Sequence, residues 1–343
     1  MHRQLDRLPI PLLEWYSQNR RELPWRSDPT PYHVWVSEIM LQQTRVQAVL
    51  GYYARFLAAC PTVADLAALP EEQLLKLWQG LGYYNRARSL HKTAKIIVNG
   101  YGGIFPPDLA ALRALPGVGD YTAGAICSIA FGLPVPAVDG NVLRVAARIT
   151  GDDGDITTAA MKRRVTDALR EIIPVKAPGD FNQALMELGA TVCLPNGAPL
   201  CAQCPAAPFC AAHKTDRTAQ LPVKKAAKAR RVEQREVFLC LFGGKVALRR
   251  RPERGLLAGL WEFPNDLSPT PPPLEGVCRR EGTGKHIFSH VEWHMTIHVL
   301  HAQDDALPDG WVWADRKELE QVYAIPNAFS CCQPILDRYI PHF

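Results

Sequence analysis

Apolar and polar positions change rhythm once along this chain. Up to about residue 214 the apolar residues recur at helical spacing, broken by short Gly/Pro interruptions. Beyond it, strand-like runs take over, such as VFLCLF from Val237 to Phe242 and MTIHVL from Met295 to Leu300. Between the two regimes, HKTDRTAQLPVKKAAKARRVEQRE is charged and poor in bulky apolar residues, which is the composition of a linker. The pattern predicts a mainly α first domain over 1–213, a linker over 214–234 and an α/β second domain over 235–343. A further soft segment, LSPTPPPLEGVCRREGTGK, is rich in Pro and Gly and reads as a flexible loop inside the second domain. No internal repeat is evident.

Within the helical half, ALRALPGVGDYTAGAICSIAFG predicts a helix ending at Leu115-Pro116-Gly117, a tight turn, and a second helix opening near Tyr121. In such a helix-hairpin-helix, Gly117 and Gly119 let backbone amides approach a DNA phosphate at a helix N-terminus. Further on, Pro134 and Pro136 hold the chain extended, and Asp139-Gly140 opens the next helix with Asp139 at or near its N-cap. Capping is expected to lower the carboxyl pKa of Asp139 and keep it ionised. A purely structural cap is the commoner use of such an aspartate.

Length and charge change this picture little. A chain of 343 residues can bury two cores. A net charge of +5 and a pI of about 8.7 lean toward a polyanionic partner without deciding for one. The N-terminal MHRQLDRLPIPLLEWYSQ has charges inside its apolar runs and no small-residue cleavage site, so no secretory signal is expected. No apolar run approaches membrane-spanning length, so no membrane association is expected either. The cysteines are more informative. Cys193, Cys201, Cys204 and Cys210 fall in the spacing C-x7-C-x2-C-x5-C, and six more are scattered over the chain. Zinc sites usually pair two C-x2-C knuckles set well apart, so one compact loop with a single C-x2-C favours a four-thiolate [4Fe-4S] cluster. Zinc and structural thiols stay open on spacing alone. Thiolate ligands and unpaired cysteines point to a reducing, intracellular compartment, the cytoplasm.

The motifs WVSEIMLQQTRV, GLGYYNRARSLH, LPGVGDYTAGAI, VDGNVLRV, FNQALMELGATVC, the cysteine loop, GLLAGLWEFP and FSH run in this order over nearly the whole chain. Together they resemble the helix-hairpin-helix, Gly/Pro-Asp superfamily of DNA glycosylases, and within it the branch that removes adenine mispaired with 8-oxoguanine. The resemblance implies a helical catalytic domain carrying a [4Fe-4S] loop, followed by a Nudix-like domain that reads 8-oxoguanine. It further implies a monomeric enzyme acting on duplex DNA that holds 8-oxoguanine:adenine or guanine:adenine mispairs.

The chemistry can be argued from the residues. Expelling adenine from its sugar requires protonating the base while the sugar gains oxocarbenium character, a task for two carboxylates in opposite environments. Glu38 lies among Trp35, Val36, Ile39 and Leu41, whose apolar bulk should raise its pKa and suit it to protonate adenine N7. Asp139 would stabilise the sugar cation or bond transiently to the anomeric carbon. By resemblance these are the general acid/base and the second carboxylate, with Asn141 beside them. Related bifunctional enzymes carry a lysine at the hairpin position of Tyr121, and a phenol cannot form their Schiff base, so an intact abasic strand is expected.

Base extrusion demands groups that fill or wedge the vacated stack. Gln42, one turn from Glu38, and Tyr83 in LGYYNRAR are expected in those roles, with Arg86 and Arg88 on phosphates. By resemblance alone, Arg21, Trp25, Arg26, Leu41, Gln183 and Glu187 form the adenine pocket, and Phe288, Ser289 and His290 face 8-oxoguanine. The second domain lacks the clustered glutamates of a Nudix box, which argues against nucleotide hydrolysis. An endonuclease III-like lyase is disfavoured by Tyr121, and a mere DNA-binding protein by the presence of both carboxylates. The chain departs from the family pattern in three ways: Asp120 occupies a hairpin position that is usually basic, where one phosphate contact is expected to be lost or replaced by repulsion. The first cysteine gap is seven residues where six is commoner, and the Pro-rich segment of the second domain is short.

Overall fold

The computed structural model describes residues 2–225 and 229–341. The chain divides into two compact units, Met1–Ala68 with Ser89–Ala226, and Leu69–Arg88 with Ala227–Phe343. This differs from the expected partition, because residues 69–88 cluster with the second unit. The expected linker 214–234 also shortens: Lys214 ends the helix Ala211–Lys214, residues 231–234 already lie in a strand, and 226–228 fall outside the described residues.

The first unit is helical. Proline opens Pro9–Asn19, Pro31–Leu41 and Pro178–Thr191, where its missing N–H is no loss. Thr30, Asp108, Asp139 and Thr158 cap the helices that follow them through side-chain oxygens. The helix Gly140–Thr150 is buried along most of its length and ends on Gly151 at φ 72°. It packs within a core that includes Leu8, Leu12, Val145, Ile149, Phe181, Leu185 and Leu188. The predicted hairpin is present as Leu109–Arg113 and Asp120–Ala125, the second running into a π-helical turn, Ile126–Ala130. In its turn Gly117 has φ 76°, and a Cβ there would lie 2.6 Å from Ser89 Cβ, so both backbone and packing require glycine.

The second unit is a mixed sheet with helices on one face. Its strands are β1 (Arg231–Phe242), β2 (Lys245–Arg250), β3 (Trp261–Glu262), β4 (Asn265–Leu267), β5 (Gly276–Ile287), β6 (Val291–Ala302) and β7 (Trp311–Ala314). The order is β3-β2-β1-β6-β5, with β4 paired to β1 and β7 to β2. β1 and β6 run parallel and every other pair is antiparallel. The run Val237–Leu241 is buried on both faces, which explains why VFLCLF shows no polar alternation. Leu239, Trp293, Ile297 and Val299 pack against Phe329, Ile335 and Leu336 of the C-terminal turns and helix.

The segment 267–285 was expected to be a loop, yet its second half is strand β5. The glycines that signal a loop answer to packing instead: a Cβ on Gly284 would lie 2.3 Å from Cys331 Sγ, and one on Gly282 2.9 Å from Ile335 Cδ1. A bulge between Arg280 and Gly282 accommodates the extra residue.

Residues 69–88 enter the second unit through hydrogen bonds. Lys76 Nζ donates to Leu319 O at 2.9 Å and Tyr323 O at 3.0 Å, and burial pushes its pKa down to about 8. Asn327 Nδ2 donates to Gly80 O at 3.0 Å. The two arginines expected on phosphates are engaged here: Arg86 donates to Leu81 O and Gly82 O, and Arg88 to Glu71 and Ala258 O. Among the described residues, no helix is long and apolar enough to cross a membrane.

Candidate active site

A cleft of about 550 Å³ in the first unit gathers both carboxylates. Glu38 comes from the helix Pro31–Leu41, started by Thr30 Oγ1 accepting from His33 N at 3.2 Å. It is buried, and Trp35, Val36 and Ile39 of the same helix are buried with it. Burial pushes its pKa up to about 7, Asp139's charge adds to the rise, and a hydrogen bond from the Tyr121 hydroxyl opposes it. That hydroxyl also lies 3.5 Å from Met186 Sδ. Tyr121 is the second residue of the hairpin's second helix, so the hairpin itself delivers the phenol to the carboxyl.

Asp139 is the N-cap of Gly140–Thr150, as its sequence position predicted. Its Oδ1 accepts from Val142 N at 2.8 Å and its Oδ2 from Asn141 Nδ2 at 2.9 Å. The expected pKa direction is corrected, however. Burial of the carboxyl outweighs those hydrogen bonds and raises the pKa above the ordinary aspartate value. Capping is a local effect, whereas the carboxyl sits inside the cleft wall.

A second polar group lines the same cleft. Glu187, fully buried, accepts from Arg21 Nε at 2.5 Å and Arg26 Nη2 at 2.6 Å. Burial opposes its ionisation, but the two guanidiniums prevail and hold it below the usual glutamate range. Trp25 packs edge-on against Tyr53 at 5.3 Å and also lines the cleft, together with Leu41, Gln183 and Gly119. Gln42 follows the last residue of its helix and donates to Thr122 Oγ1 at 3.4 Å. Asp120 is paired with Arg113 at 2.7 Å and lies 4.0 Å from Lys162, so its charge is offset rather than left to repel.

Sequence reasoning missed Met186, Thr122, Lys162 and above all Arg144. This arginine, 7% exposed, donates to Asn141 Oδ1 at 2.8 Å, Gly189 O at 2.8 Å and Cys193 O at 2.9 Å. Its position on an apolar helix between Leu143 and Val145 gave only a faint signal, an unneutralised charge on a buried face.

The four cysteines of the loop converge on one apolar cavity, bounded by Val145, Ile149, Leu188 and Val192. Arg148 Nη1 lies 3.3 Å from Cys193 Sγ. Among the described residues no cluster of three or more His, Cys, Asp or Glu side chains is close enough for a single metal ion, and all ten cysteines are free. Four thiols around an apolar space, with the buried Arg148 beside one of them, fit a thiolate-bound group.

In the second unit Tyr83 is 46% exposed and left-handed, at φ 48°. Phe288 packs on His286 and Trp293, while Ser289 and His290 are exposed in the connection between β5 and β6. The only glutamate of GLLAGLWEFP, Glu262, is 2% exposed and bonded to Arg249, Arg251 and Asn265, so it is part of the packing.

Comparison with known proteins agrees with both halves. Residues 36–171 match the family model of the HhH-GPD superfamily base excision DNA repair protein, and residues 236–332 that of the NUDIX domain. The chain is 36% identical to the adenine DNA glycosylase of Mus musculus, covering 90% of this chain and 73% of that one. It belongs to the adenine DNA glycosylase family. The relative from Buchnera aphidicola subsp. Baizongia pistaciae is 37% identical over 84% of this chain and 83% of its own. Among solved structures, a trapped endonuclease III–DNA covalent intermediate, an estranged-adenine complex, superposes with a TM-score of 0.54 at 27% identity, covering 63% of this chain and 98% of that one. The chain is thus an adenine DNA glycosylase family enzyme with a helical HhH-GPD unit and a Nudix-like mixed sheet. Its candidate site is the cleft that holds Glu38 and Asp139.

Proposed function

We propose that this glycosylase removes adenine mispaired with 8-oxoguanine, and with guanine, from duplex DNA and leaves the strand uncut. The observation that carries the reading is a buried Glu38, raised to about 7, facing the same cleft as Asp139 and held by Tyr121. A carboxyl near neutrality can keep a proton until adenine N7 takes it. Asp139, oriented by Val142 and Asn141, would then stabilise the sugar cation. Tyr121 has no amine, so no Schiff base forms and no strand is cleaved.

The adenine edge would meet the Glu187, Arg21 and Arg26 group and Gln183, with Trp25 and Leu41 as apolar walls. Gln42 would enter the vacated stack, and Tyr83, exposed and already in its turn, would wedge beside the lesion. Gly117 and Gly119 would present backbone amides to a phosphate. Cys193, Cys201, Cys204 and Cys210 would hold a [4Fe-4S] cluster, which when bound supplies a rigid, electropositive support. The enzyme would act as a monomer in the cytoplasm, with chromosomal DNA.

The test uses duplexes carrying adenine opposite 8-oxoguanine, guanine or thymine, with and without alkali after reaction. Strand breaks that appear only after alkali, on the first two duplexes, are expected. Breaks without alkali, or no release of adenine, overturn the reading.

The second unit would supply the preference for 8-oxoguanine through Ser289 and His290. Changing both to Ala is expected to lower the 8-oxoguanine-over-guanine preference about ten- to a hundredfold, the worth of one or two hydrogen bonds. Single-turnover rates on both mispairs check this. An unchanged ratio assigns the reading to the first unit, and equal losses on both make the loop a support for the fold or for DNA binding.

A further inference from the structure

The mouth of the cleft carries a charge arrangement that the proposed chemistry leaves unused. Asp120 and Lys162 both line the cleft. The Asp120 carboxylate pairs with Arg113 Nε at 2.7 Å through one oxygen and lies 4.0 Å from Lys162 Nζ through the other. The two cations come from different elements, Arg113 from the hairpin's first helix and Lys162 from the helix Ala159–Ile172. The side chains of Arg113, Asp120 and Lys162 are 55%, 58% and 40% exposed. Arg21 and Arg26 are held differently, by a carboxylate that is 1% exposed. A buried pair of that kind is fixed, whereas an exposed pair is worth little and exchanges readily for another anion.

A carboxylate held between two cations has the charge and the reach of a phosphodiester oxygen pair. When a base enters the cleft toward Glu38, the phosphates on either side of its sugar must stay in water at the mouth, where these three side chains stand.

We infer that Arg113 and Lys162 contact the backbone phosphates of the strand that supplies the base, and that Asp120 is an internal competitor that occupies both cations in the free enzyme. Binding then exchanges a carboxylate for a phosphate. The inference rests on duplex DNA being the substrate, as proposed above. Its consequence is a lower affinity for undamaged DNA than the two cations alone would give, and so a shorter stay on sequence that holds no lesion.

The experiment measures binding of the full chain to an undamaged duplex by fluorescence anisotropy over a range of salt concentrations. Undamaged DNA keeps it separate from adenine excision, so a failure of that reading shows in the excision assay and not here. Asp120→Asn is expected to tighten binding about three- to tenfold at low salt, with the gain fading as salt rises. Lys162→Gln is expected to weaken binding and flatten the slope of log affinity against log salt by about 0.9, one phosphate contact. In an Arg113→Gln, Lys162→Gln background, Asp120→Asn should tighten nothing. Unchanged binding by Asp120→Asn overturns the proposal, as does a gain that persists without the two cations, which would reflect net charge alone. The Lys162→Gln arm decides the matter even if Asp120→Asn melts early.

Discussion

Replacing Glu38 by Gln is expected to slow single-turnover adenine excision by at least about 10²-fold while leaving duplex affinity nearly unchanged, because the amide keeps the shape and loses the proton. Burial lifts the Glu38 carboxyl to about 7, so the protonated fraction falls as pH rises through that value. The wild-type rate should therefore decline above about pH 7, roughly tenfold per pH unit once well past it, while the variant's rate stays flat. Asp139 must be ionised, and its raised carboxyl sets the acid limb of the profile.

The same proton links to folding. A carboxyl raised in the folded state gives its full stability below the ordinary carboxylate range and loses it as pH climbs through about 7. Glu38→Gln should accordingly melt above the wild type at alkaline pH, with the difference closing as the pH is lowered toward that range. Near-normal excision by the variant, or a wild-type rate indifferent to pH above 7, would remove Glu38 as the proton donor.

Loss of Cys204 is the second large effect. Cys204→Ala is expected to abolish a yellow-brown absorption near roughly 400 nm, drop iron content and unfold the loop 193–210, since structural metal binding is itself folding energy. Duplex binding should fall with it. Arg144 bonds both the Cys193 carbonyl and Asn141, so the disturbance also reaches the group that orients Asp139. Cys278→Ala, far in sequence from the loop, should keep colour and binding. Absorbance, metal analysis and duplex titration check this, and a colourless, active wild type containing zinc sinks the cluster.

The residues proposed for catalysis and for the cluster were legible because each sits in a local pattern: Glu38 in an apolar helix, Asp139 after extended prolines, the cysteines in one loop. What surrounds them was not. The cap rule gave Asp139 the wrong pKa direction, since a local hydrogen-bond count cannot see the burial that prevails. Arg144 lies inside VDGNVLRV, yet two of its three partners, the carbonyls of Gly189 and Cys193, are brought to it only by folding. Gly282 and Gly284 signal a loop in sequence and a crowded strand in space. Arg88 looked available to phosphates because its partners, Glu71 and the Ala258 carbonyl, are set by tertiary structure, whereas Arg86 turns back on the nearby carbonyls of Leu81 and Gly82.

The assignment of residues 69–88 to the second unit bears on the order in which the protein is made. Lys76 and the carbonyl of Leu319 that it bonds are 243 residues apart in the chain. At about 5–20 residues per second, the ribosome delivers that carbonyl roughly 10–50 s after the lysine. Within that interval the rest of the first unit is made and can close its own core before Lys76 and Gly80 meet their partners. The second unit is therefore completed only when the helix Arg316–Gln321 and the residues after it return to a helix laid down long before them.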